Sequence, residues 1–395
     1  MKQIHKSYKF RIYPNNNQRI LLTKHFGACR FIFNYYLNCR KDAYLSGKTY
    51  FNYYDNANDL TLLKKNEDFI WLKEINSQSL QSSLKHLDVS YNRFFRKQAK
   101  FPQYKSKYDK QSFTIPQFID IEEGKIYIPK FKEGIKINLC QEIKGKICFA
   151  TISKSTTNNY YVSITCEVEY QPYEKTGSCI GIDAGIKDLA ILSDGKVYEN
   201  IHSLKTNIKK LKYNQRQLSK KQKDSKERSK QKLKVAQIYE KITNTRQDYL
   251  HKVSTEIVKN HDIICIEDLA VKNLMKNGNL SQAFSDVALG SFYQMLEYKS
   301  DWNDKIISEI DRWFPSSKMC SKCNYIKDDL TLADREWICP KCGAKHNRDH
   351  NASINIENQG LINLTILSGS GIESDIKQKR GEALPLGESM KPDFN

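Results

Sequence analysis

The sequence predicts a multidomain α+β chain with a helical bundle, a small β-barrel, and an α/β domain into which a zinc ribbon is inserted. Apolar residues recur at helical spacing up to about residue 100, and short alternating stretches follow from Phe101. Two apolar strands further along the chain end in acidic residues, at Asp183 and at Glu267. Two Cys-x-x-Cys pairs then precede a last helix that begins near Asp349.

The bulk composition favours a globular protein that binds a polyanion. The chain has 395 residues and a formal net charge of +19, from 64 Lys and Arg against 45 Asp and Glu. Nucleic acid is the first candidate partner for such a charge. A membrane surface is the alternative, but no lipidation motif or apolar span supports it. The first residues lack the apolar core of a signal peptide, so we expect a cytoplasmic protein whose cysteines stay reduced.

The N-terminal half divides by the period of its apolar pattern. Residues 1–14 are predicted to be extended. Residues 15–100 are predicted to form a helical bundle, because apolar side chains between Leu80 and Phe95 fall on one face of a helix. Residues 101–176 contain short alternating stretches separated by Gly, Pro and Asn, which is typical of a small β-barrel.

An α/β domain is predicted over residues 177–314. Its first strand is followed by a tight turn at Asp194-Gly195, which makes the first three strands of the domain antiparallel neighbours. A long helical stretch spans residues 203–260 and breaks near Asp224, which predicts a helical hairpin.

The remainder of the domain is predicted to follow the strand that ends at Glu267. We expect a helix near 291–304, a strand near 306–314 and a final helical part at 347–367. Residues 368–395 are polar, rich in Gly and Ser, and without periodicity, so we expect a disordered tail.

The four paired cysteines predict a zinc ribbon at residues 315–346. Their spacing, C-x2-C-x15-C-x2-C, fits four thiolates around one tetrahedral Zn²⁺, and a redox pair is the alternative. Four protein ligands leave no open position on the metal, so this zinc should be structural. A zinc ribbon alone does not identify a reaction, since a DNA-binding protein without catalytic activity can also contain one. The predicted ligands are Cys320, Cys323, Cys339 and Cys342.

Three carboxylates are the candidate catalytic residues. Asp183 and Glu267 each end an apolar strand, and Asp349 opens a helix whose dipole favours a negative charge. Each alone has a structural explanation, as a turn residue, an exposed strand end or a helix cap. Together they predict a metal-dependent nuclease, because two-metal phosphodiester hydrolysis needs hard oxygen ligands that hold two ions about 4 Å apart. Mg²⁺ is the expected ion by ligand hardness and abundance.

Several motifs resemble the TnpB (OrfB) proteins of IS200/IS605 and IS607 transposons. The central ones are GIDAGIKDLA at 181–190, IEDL at 266–269, the four cysteines, and RDHNASINI at 348–356. Further agreement is found in KFRIYP at 9–14, RFIFN at 30–34, YNRFF at 91–95 and FPSS at 314–317. The likeness covers about residues 1–360, which is nearly the whole chain.

The resemblance implies a compact relative of the type V CRISPR effector nucleases. Such a protein binds an RNA guide from the transposon's right end (the ωRNA), recognises a short transposon-adjacent motif in duplex DNA and cuts with a RuvC/RNase H-like site. Asp183, Glu267 and Asp349 match the catalytic positions and would bind two Mg²⁺ ions. One departure is Asn347, where the family often has an acidic residue.

The resemblance also names the predicted domains. The implied layout is a wedge-like barrel at 1–14 and 101–176, a recognition bundle at 15–100, a RuvC-like nuclease domain at 177–314 and 347–367 with the basic hairpin at 203–260, the zinc ribbon at 315–346, and the tail at 368–395.

Two basic clusters are expected to bind nucleic acid, with a solvated helix face as the alternative. The segment from Lys205 to Lys234 contains thirteen Lys or Arg against two acidic residues. The predicted contacts are Lys205, Lys209, Lys210, Lys212, Arg216, Lys220 and Lys221 in the hairpin, and Arg93, Arg96 and Lys97 near the end of the bundle. Tyr53, Gln81 and Thr114 fall in the segments that match the family's surface for reading the adjacent motif.

Three other functions remain as alternatives. A nuclease-inactive, RNA-guided DNA-binding protein is expected to lack a carboxylate, and all three are present here. A transposase with an RNase H-like site uses the same three carboxylates, so those residues alone do not exclude it. A zinc-ribbon transcription factor would leave the carboxylates at the strand ends unexplained. The sequence does not determine the oligomeric state.

Overall fold

A computed structural model describes residues 2–47, 52–269, 278, 280–331 and 333–368. The predicted disordered tail lies outside these residues from position 369 onward. The chain divides into two compact units. The first contains the described residues up to Tyr170 together with Gln222–Gln237, and the second contains Gln171–Lys221 and the described residues from Ile238 onward.

The N-terminal helices of the first unit begin at asparagine caps. Asn15 accepts a hydrogen bond from the amide of Gln18 at 2.8 Å, and Asn52 accepts one from the amide of Asp55 at 3.1 Å. Such caps satisfy amide groups that have no partner within the helix. The helices described before residue 100 are α1 (Asn16–Leu45), α2 (Tyr53–Leu63), a 3-10 helix (Glu67–Glu74) and α3 (Ser77–Phe95).

A seven-stranded antiparallel sheet forms the rest of the first unit. Its strands are β1 (Lys2–Tyr13), β2 (Gln111–Ile115), β3 (Asp120–Glu122), β4 (Lys125–Ile128), β5 (Phe131–Asn138), β6 (Lys146–Lys154) and β7 (Tyr160–Tyr170), in the order β2-β6-β7-β1-β5-β4-β3. The predicted extended segment at the N-terminus is therefore the central strand. The hydrogen-bonded ladder ends at β2 and β3 in the described residues, so closure into a barrel stays a prediction.

The second unit has a five-stranded mixed sheet. Its strands are β8 (Cys179–Asp183), β9 (Asp188–Leu192), β10 (Val197–Glu199), β11 (Ile263–Glu267) and β12 (Ile306–Ile310), in the order β10-β9-β8-β11-β12. The first three are antiparallel, which confirms the predicted hairpin, and β11 is parallel to both β8 and β12.

One predicted strand is too long. The expected strand at 306–314 stops at Ile310, because Asp311 begins a turn. The side chain of Asp311 accepts a hydrogen bond from the amide of Trp313 at 2.7 Å, and Pro315 follows shortly after. Both features favour a turn over continued pairing.

Five helices accompany this sheet in the described residues. They are α4 (Ser203–Ser219), α5 (Lys226–Asn260), α6 (Ser281–Val287), α7 (Leu289–Trp302) and α8 (Arg348–Ser368). The predicted break near Asp224 is confirmed, since Asp224 adopts a left-handed backbone with φ of 62° between α4 and α5. The buried carboxylate of Asp286 caps α4 by accepting the amides of Leu204 and Lys205 at 2.7 and 3.0 Å. None of the helices in the described ranges combines the length and hydropathy needed to span a bilayer.

The sheet of the second unit is covered differently on its two faces. On one face, Ile182 and Ile266 are buried with apolar residues of α5 and α7. On the other face, α8 lies directly on the strands because glycine is present at both contact points. A Cβ at Gly181 would lie 2.0 Å from the carbonyl oxygen of Ser353, and a Cβ at Gly360 would lie 2.5 Å from the Sγ of Cys265. This close approach fixes the position of α8.

Gly181→Ala is therefore predicted to destabilise the second unit. The added methyl group would meet the α8 backbone, which can relieve the overlap only by moving away from the sheet. Overpacking of this kind costs about 1–3 kcal/mol of unfolding free energy or more. Thermal unfolding of the purified protein measures the effect.

Gly27→Ala is the matched control, since a Cβ at Gly27 has nothing within 4 Å and the residue lies inside α1. Helix propensity should raise its stability by up to about 1 kcal/mol. An unchanged melting temperature for Gly181→Ala would contradict the direct contact between α8 and β8.

Candidate functional site

Two of the predicted carboxylates end adjacent parallel strands. Asp183 is the last residue of β8, and Glu267 is the last residue of β11. The register pairs Ile182 with Ile266, and Asp183 and Glu267 are the next residues on the two strands. Neighbouring strands in a sheet lie about 4.8 Å apart, so the backbones of the two acidic residues are close together. The carboxyl ends of parallel strands are a common location for functional side chains in α/β sheets.

Helix α8 brings the third carboxylate to the same end of the sheet. Asp349 lies in the first turn of α8, one helical turn before Ser353, whose carbonyl contacts Gly181. The negative charge of Asp349 also raises the pKa of Asp183, so the two side chains are electrostatic neighbours. The structure thus gathers all three predicted carboxylates near the ends of β8 and β11.

Asp183 and Glu267 have no direct partner among the described residues, although the charges of Arg348 and Arg335 partly lower the pKa of Asp183. Burial, followed by the charges of Asp349 and Glu267, raises the pKa of Asp183 to about 7. Burial, followed by the charge of Asp268, raises the pKa of Glu267 to about 7. Within the described ranges, neither carboxylate accepts a hydrogen bond or forms an ion pair. Partly buried carboxylates without partners are unusual and are often found at functional sites.

Asp349 differs because two arginines neutralise it. Arg335 donates a hydrogen bond to its Oδ2 at 2.8 Å, and Arg348 donates to its Oδ1 from Nε at 2.9 Å and from Nη2 at 2.8 Å. The backbone amide of Arg348 also bonds the carbonyl of Arg335 at 2.8 Å. Arg335 lies between the cysteine pairs, and no motif in the sequence marked it.

Asn347 caps the helix that carries Asp349. Its Oδ1 accepts a hydrogen bond from the amide of His350 at 3.1 Å. Asn and Asp are about equally good at this position, so the departure from the resembled family leaves the helix start intact.

The four paired cysteines meet in one cluster. Among the described residues they form the only group of at least three His, Cys, Asp or Glu whose ligand atoms all lie within 4.8 Å of one another. The Sγ atoms of Cys320 and Cys342 are 3.7 Å apart, and those of Cys323 and Cys339 are 3.5 Å apart. A tetrahedron with 2.3 Å Zn–S bonds has sulfurs about 3.8 Å apart, so the cluster fits Zn²⁺.

The two cysteine turns have the same backbone design. Asn324 and Gly343 follow the second cysteine of each pair, with φ of 59° and 73°, and their amides bond the carbonyls of Cys320 and Cys339 at 2.9 and 2.8 Å. Gly is suited to this left-handed backbone, and Asn tolerates it. A short hairpin of β13 (Glu336–Ile338) and β14 (Lys345–Asn347) completes the ribbon.

Two buried asparagines attach this ribbon to α8. The Nδ2 of Asn351 donates to the carbonyl of Met319 at 2.7 Å, and its Oδ1 accepts the amide of Ser321 at 3.0 Å. The Nδ2 of Asn355 donates to the carbonyls of Ser316 and Met319 at 2.7 and 2.6 Å. The first cysteine turn is therefore coupled to the helix that carries Asp349. The signal in the sequence is the pair of asparagines four residues apart on one helix face.

The predicted nucleic-acid contacts are exposed. The hairpin residues are exposed on α4 and the turn after it: Lys205, Lys209, Lys210, Lys212, Arg216, Lys220 and Lys221. Arg93, Arg96 and Lys97 are exposed at the end of α3 in the first unit. Exposure is consistent with binding a phosphate backbone and with a solvated helix face, so their role stays a prediction.

The predicted motif-reading residues lie on three elements of the first unit. Tyr53 begins α2, Gln81 is exposed on α3, and Thr114 is in β2, where its Oγ1 lies 3.3 Å from that of Thr151. Helix α3 packs on both α2 and β2. A cavity of about 60 Å³ beside Thr114 is also lined by basic side chains and polar groups, including Arg30 and Lys105.

Three family models match the chain. One from IS605-type OrfB proteins, described as a probable transposase, matches residues 163–278, which include Asp183 and Glu267. A Cas12f1-like TNB domain model matches residues 290–356, which include the cysteines and Asp349. A helix-turn-helix model of the OrfB proteins matches residues 1–49, a segment whose described part folds here as β1 and the single long helix α1.

Two curated relatives match almost the whole chain. A Streptomyces pristinaespiralis protein named as a candidate RNA-guided DNA endonuclease is 36% identical, and the alignment covers 96% of this chain and 95% of the relative. InsQ of Escherichia coli K12, named in the same way, is 35% identical over 90% of this chain and 92% of its own length. A solved Cas12f1–sgRNA–target DNA complex aligns over 90% of this chain and 99% of its own, at 15% identity and a TM-score of 0.35, which is too low to support an argument.

The raised carboxylate pKa values predict how stability depends on pH. Asp183 and Glu267 hold a proton more tightly in the folded protein, with pKa about 7, than in the unfolded chain, where carboxyl pKa values are about 4. The stability from these two groups is full below pH about 4 and is lost as the pH rises through about 7. Asp183→Asn, without divalent ions, is therefore expected to raise the melting temperature at pH 8 and to flatten its dependence on pH.

The matched control is Asp248→Asn, an exposed helix carboxylate paired with Lys252, for which no such gain is expected. Parallel pH profiles for the wild type and Asp183→Asn would contradict the burial of uncompensated charge at Asp183. Calorimetric scans between pH 5 and 8 in EDTA-treated buffer, with zinc retained, provide the comparison.

Removal of one cysteine is predicted to release zinc and to weaken the attachment of α8. Cys339→Ser should lower the zinc content from one ion per chain to near zero, measured by plasma mass spectrometry. Because Asn351 and Asn355 bond the backbone beside Cys320, the melting temperature should fall as well. Cys140→Ser, at an exposed cysteine outside the cluster, should change neither quantity. Full zinc occupancy in Cys339→Ser would rule out the four-cysteine site.

Proposed function

Because the chain belongs to the TnpB (OrfB) family of transposon proteins, we propose that it is an RNA-guided DNA endonuclease that hydrolyses phosphodiester bonds. Its partners are an ωRNA guide and a double-stranded DNA target next to a short transposon-adjacent motif. Relatives named for this activity align with it over nearly their whole length. The protein acts in the cytoplasm, where its nucleic-acid partners are found.

The observation that carries the proposal is the position of three carboxylates near the ends of β8 and β11. Asp183 and Glu267 are the last residues of two neighbouring parallel strands and lie at the same position in their register. Helix α8 places Asp349 near the same strand ends. A plain nucleic-acid-binding protein gains nothing from holding two unpaired carboxylates at the ends of two central strands, because they lower stability and repel phosphate. A nuclease that binds metal ions requires such a group of oxygen ligands.

The carboxylates fit divalent cations. Hard oxygen ligands suit Mg²⁺, and the uncompensated charge of Asp183 and Glu267 matches a site completed by positive ions. Asp183, Glu267 and Asp349 are the residues that would hold them. Two such ions would supply an activated water and stabilise the leaving oxygen of the cleaved strand.

The protein itself determines the protonation and orientation of these groups. Because their pKa values are near 7, Asp183 and Glu267 would lose their protons at neutral pH when a positive ion binds beside them. Arg335 and Arg348 hold both oxygens of Asp349, so that carboxylate is already oriented. Any cation that binds Asp349 must therefore share it with these arginines.

The zinc ribbon has a structural role in this proposal. The four thiolates would fill the coordination shell of a bound zinc and would leave no open position for a substrate. Through Asn351 and Asn355 the ribbon instead fixes the start of α8, and through Arg335 it contacts Asp349 directly. Loss of zinc should therefore impair cleavage through Asp349.

Base pairing between guide and target would supply most of the sequence specificity, and the protein would bind backbones and a short motif. The basic face of α4 is suited to the phosphates of a guide–target heteroduplex. Arg93, Arg96 and Lys97 would add contacts from the first unit. Tyr53, Gln81 and Thr114 would contribute to reading the adjacent motif.

The test is guide-dependent cleavage of DNA. The protein is co-expressed with RNA from the 3′ end of its own gene, and the purified complex receives a plasmid with a guide-matched target beside randomised bases. In Mg²⁺ we predict double-strand cuts only in plasmids with both the match and one short motif. Asp183→Ala should reduce cleavage below detection, because it removes a metal ligand, whereas Asp248→Ala should cut like the wild type.

Two outcomes would contradict the proposal and favour an alternative. Cleavage or strand transfer that is indifferent to RNA would favour the transposase, which the description of the OrfB model also names. Guide-dependent binding without cleavage would favour a nuclease-inactive binder, and Asn347→Asp would then be the first variant to test.

A further inference from the structure

Tyr293 has a buried hydroxyl with no partner in the described part of the chain. The residue lies on α7, is 9% exposed, and its hydroxyl oxygen makes no hydrogen bond there. Its ring belongs to the apolar cluster that contains Ile182 and Ile266, the residues immediately before Asp183 and Glu267. A buried tyrosine normally finds a hydrogen-bond partner, so a bare hydroxyl at this place needs an explanation.

The charges that act most strongly on this hydroxyl are those of two carboxylates of the candidate catalytic site, Asp183 and Glu267. Burial raises the pKa of Tyr293, and the charges of Asp183 and Glu267 raise it further, ahead of those of Glu309 and Asp268. The phenol is therefore neutral at any physiological pH and can donate a hydrogen bond. Asp183 and Glu267 are acceptors that receive no hydrogen bond from any described residue. One unused donor and two unused acceptors thus lie in the same neighbourhood.

We propose that Tyr293 is a positioning residue, whose hydroxyl is unbonded in the described part of the chain and donates a hydrogen bond to the Asp183–Glu267 pair when a divalent cation is bound, which orients the pair toward that cation. This inference rests on the metal-dependent nuclease proposed above. Residues behind metal ligands commonly fix the orientation of those ligands and raise metal affinity. Tyr293 is well placed for that role because its backbone is part of α7, whose residues Phe292 and Leu296 are fully buried.

Tyr293→Phe tests the inference because it removes one oxygen atom and keeps the ring. Mn²⁺ binding to the full chain, measured by calorimetry after zinc loading, is expected to weaken about tenfold or more, the typical effect of losing such a residue. The metal-free protein should melt at the same temperature or higher, because the variant no longer buries an unsatisfied hydroxyl. Guide-directed cleavage should need a correspondingly higher Mg²⁺ concentration for half-maximal rate.

Tyr298→Phe is the matched control on the same helix, since burial alone raises the pKa of Tyr298 and no carboxylate contributes. It should leave Mn²⁺ affinity unchanged. Asp183→Ala is the reference for a lost ligand and should weaken Mn²⁺ binding more than Tyr293→Phe.

The outcomes separate this inference from the function on which it rests. Wild-type Mn²⁺ affinity in Tyr293→Phe, together with weakened binding in Asp183→Ala, overturns the role of Tyr293 alone. A lower melting temperature for metal-free Tyr293→Phe also overturns it, because the hydroxyl would then serve the fold. Unchanged Mn²⁺ affinity and cleavage in Asp183→Ala overturn both the inference and the proposed function.

Discussion

The direct contact between α8 and the sheet at Gly181 and Gly360 is the constraint on which the candidate site depends. With side chains at these two positions, the helix could not approach β8 and β11 closely enough to place Asp349 beside Asp183. The same helix binds the first cysteine turn through Asn351 and Asn355. One packing interaction therefore joins the strand ends, the third carboxylate and the four-cysteine cluster, which are far apart in the sequence.

The three carboxylates at this junction are not equivalent. Asp349 is balanced by two arginines, whereas Asp183 and Glu267 keep pKa values near 7 and have no donor in the described residues. Burial of such charge reduces stability as the pH rises through about 7, and bound positive ions would offset that loss. Asp183 and Glu267 would supply the charge that bound cations offset, and Asp349 would be shared between those cations and its arginines.

Sequence patterns revealed the parts of the site whose signal is local. An apolar strand that ends in an acid predicted Asp183 and Glu267, and cysteine spacing predicted the zinc cluster. Arg335 acts through its contact with Asp349, which is made only after folding, so nothing near it in the sequence marks its role. The end of β12 was also mispredicted, because the turn at Asp311 overrode an apolar pattern that continues to Phe314. The cap supplied to α4 by Asp286 is a similar long-range contact.

The central claim is that Asp183, Glu267 and Asp349 form one divalent-cation site, and anomalous diffraction from crystals soaked in Mn²⁺ tests it most directly. The account predicts Mn²⁺ peaks within coordination distance of oxygens from all three carboxylates, with at least one arginine contact to Asp349 lengthened, while zinc occupies the four cysteines. A fully occupied zinc cluster with no Mn²⁺ at the carboxylates, at concentrations that saturate known Mn²⁺ enzymes, would contradict the account.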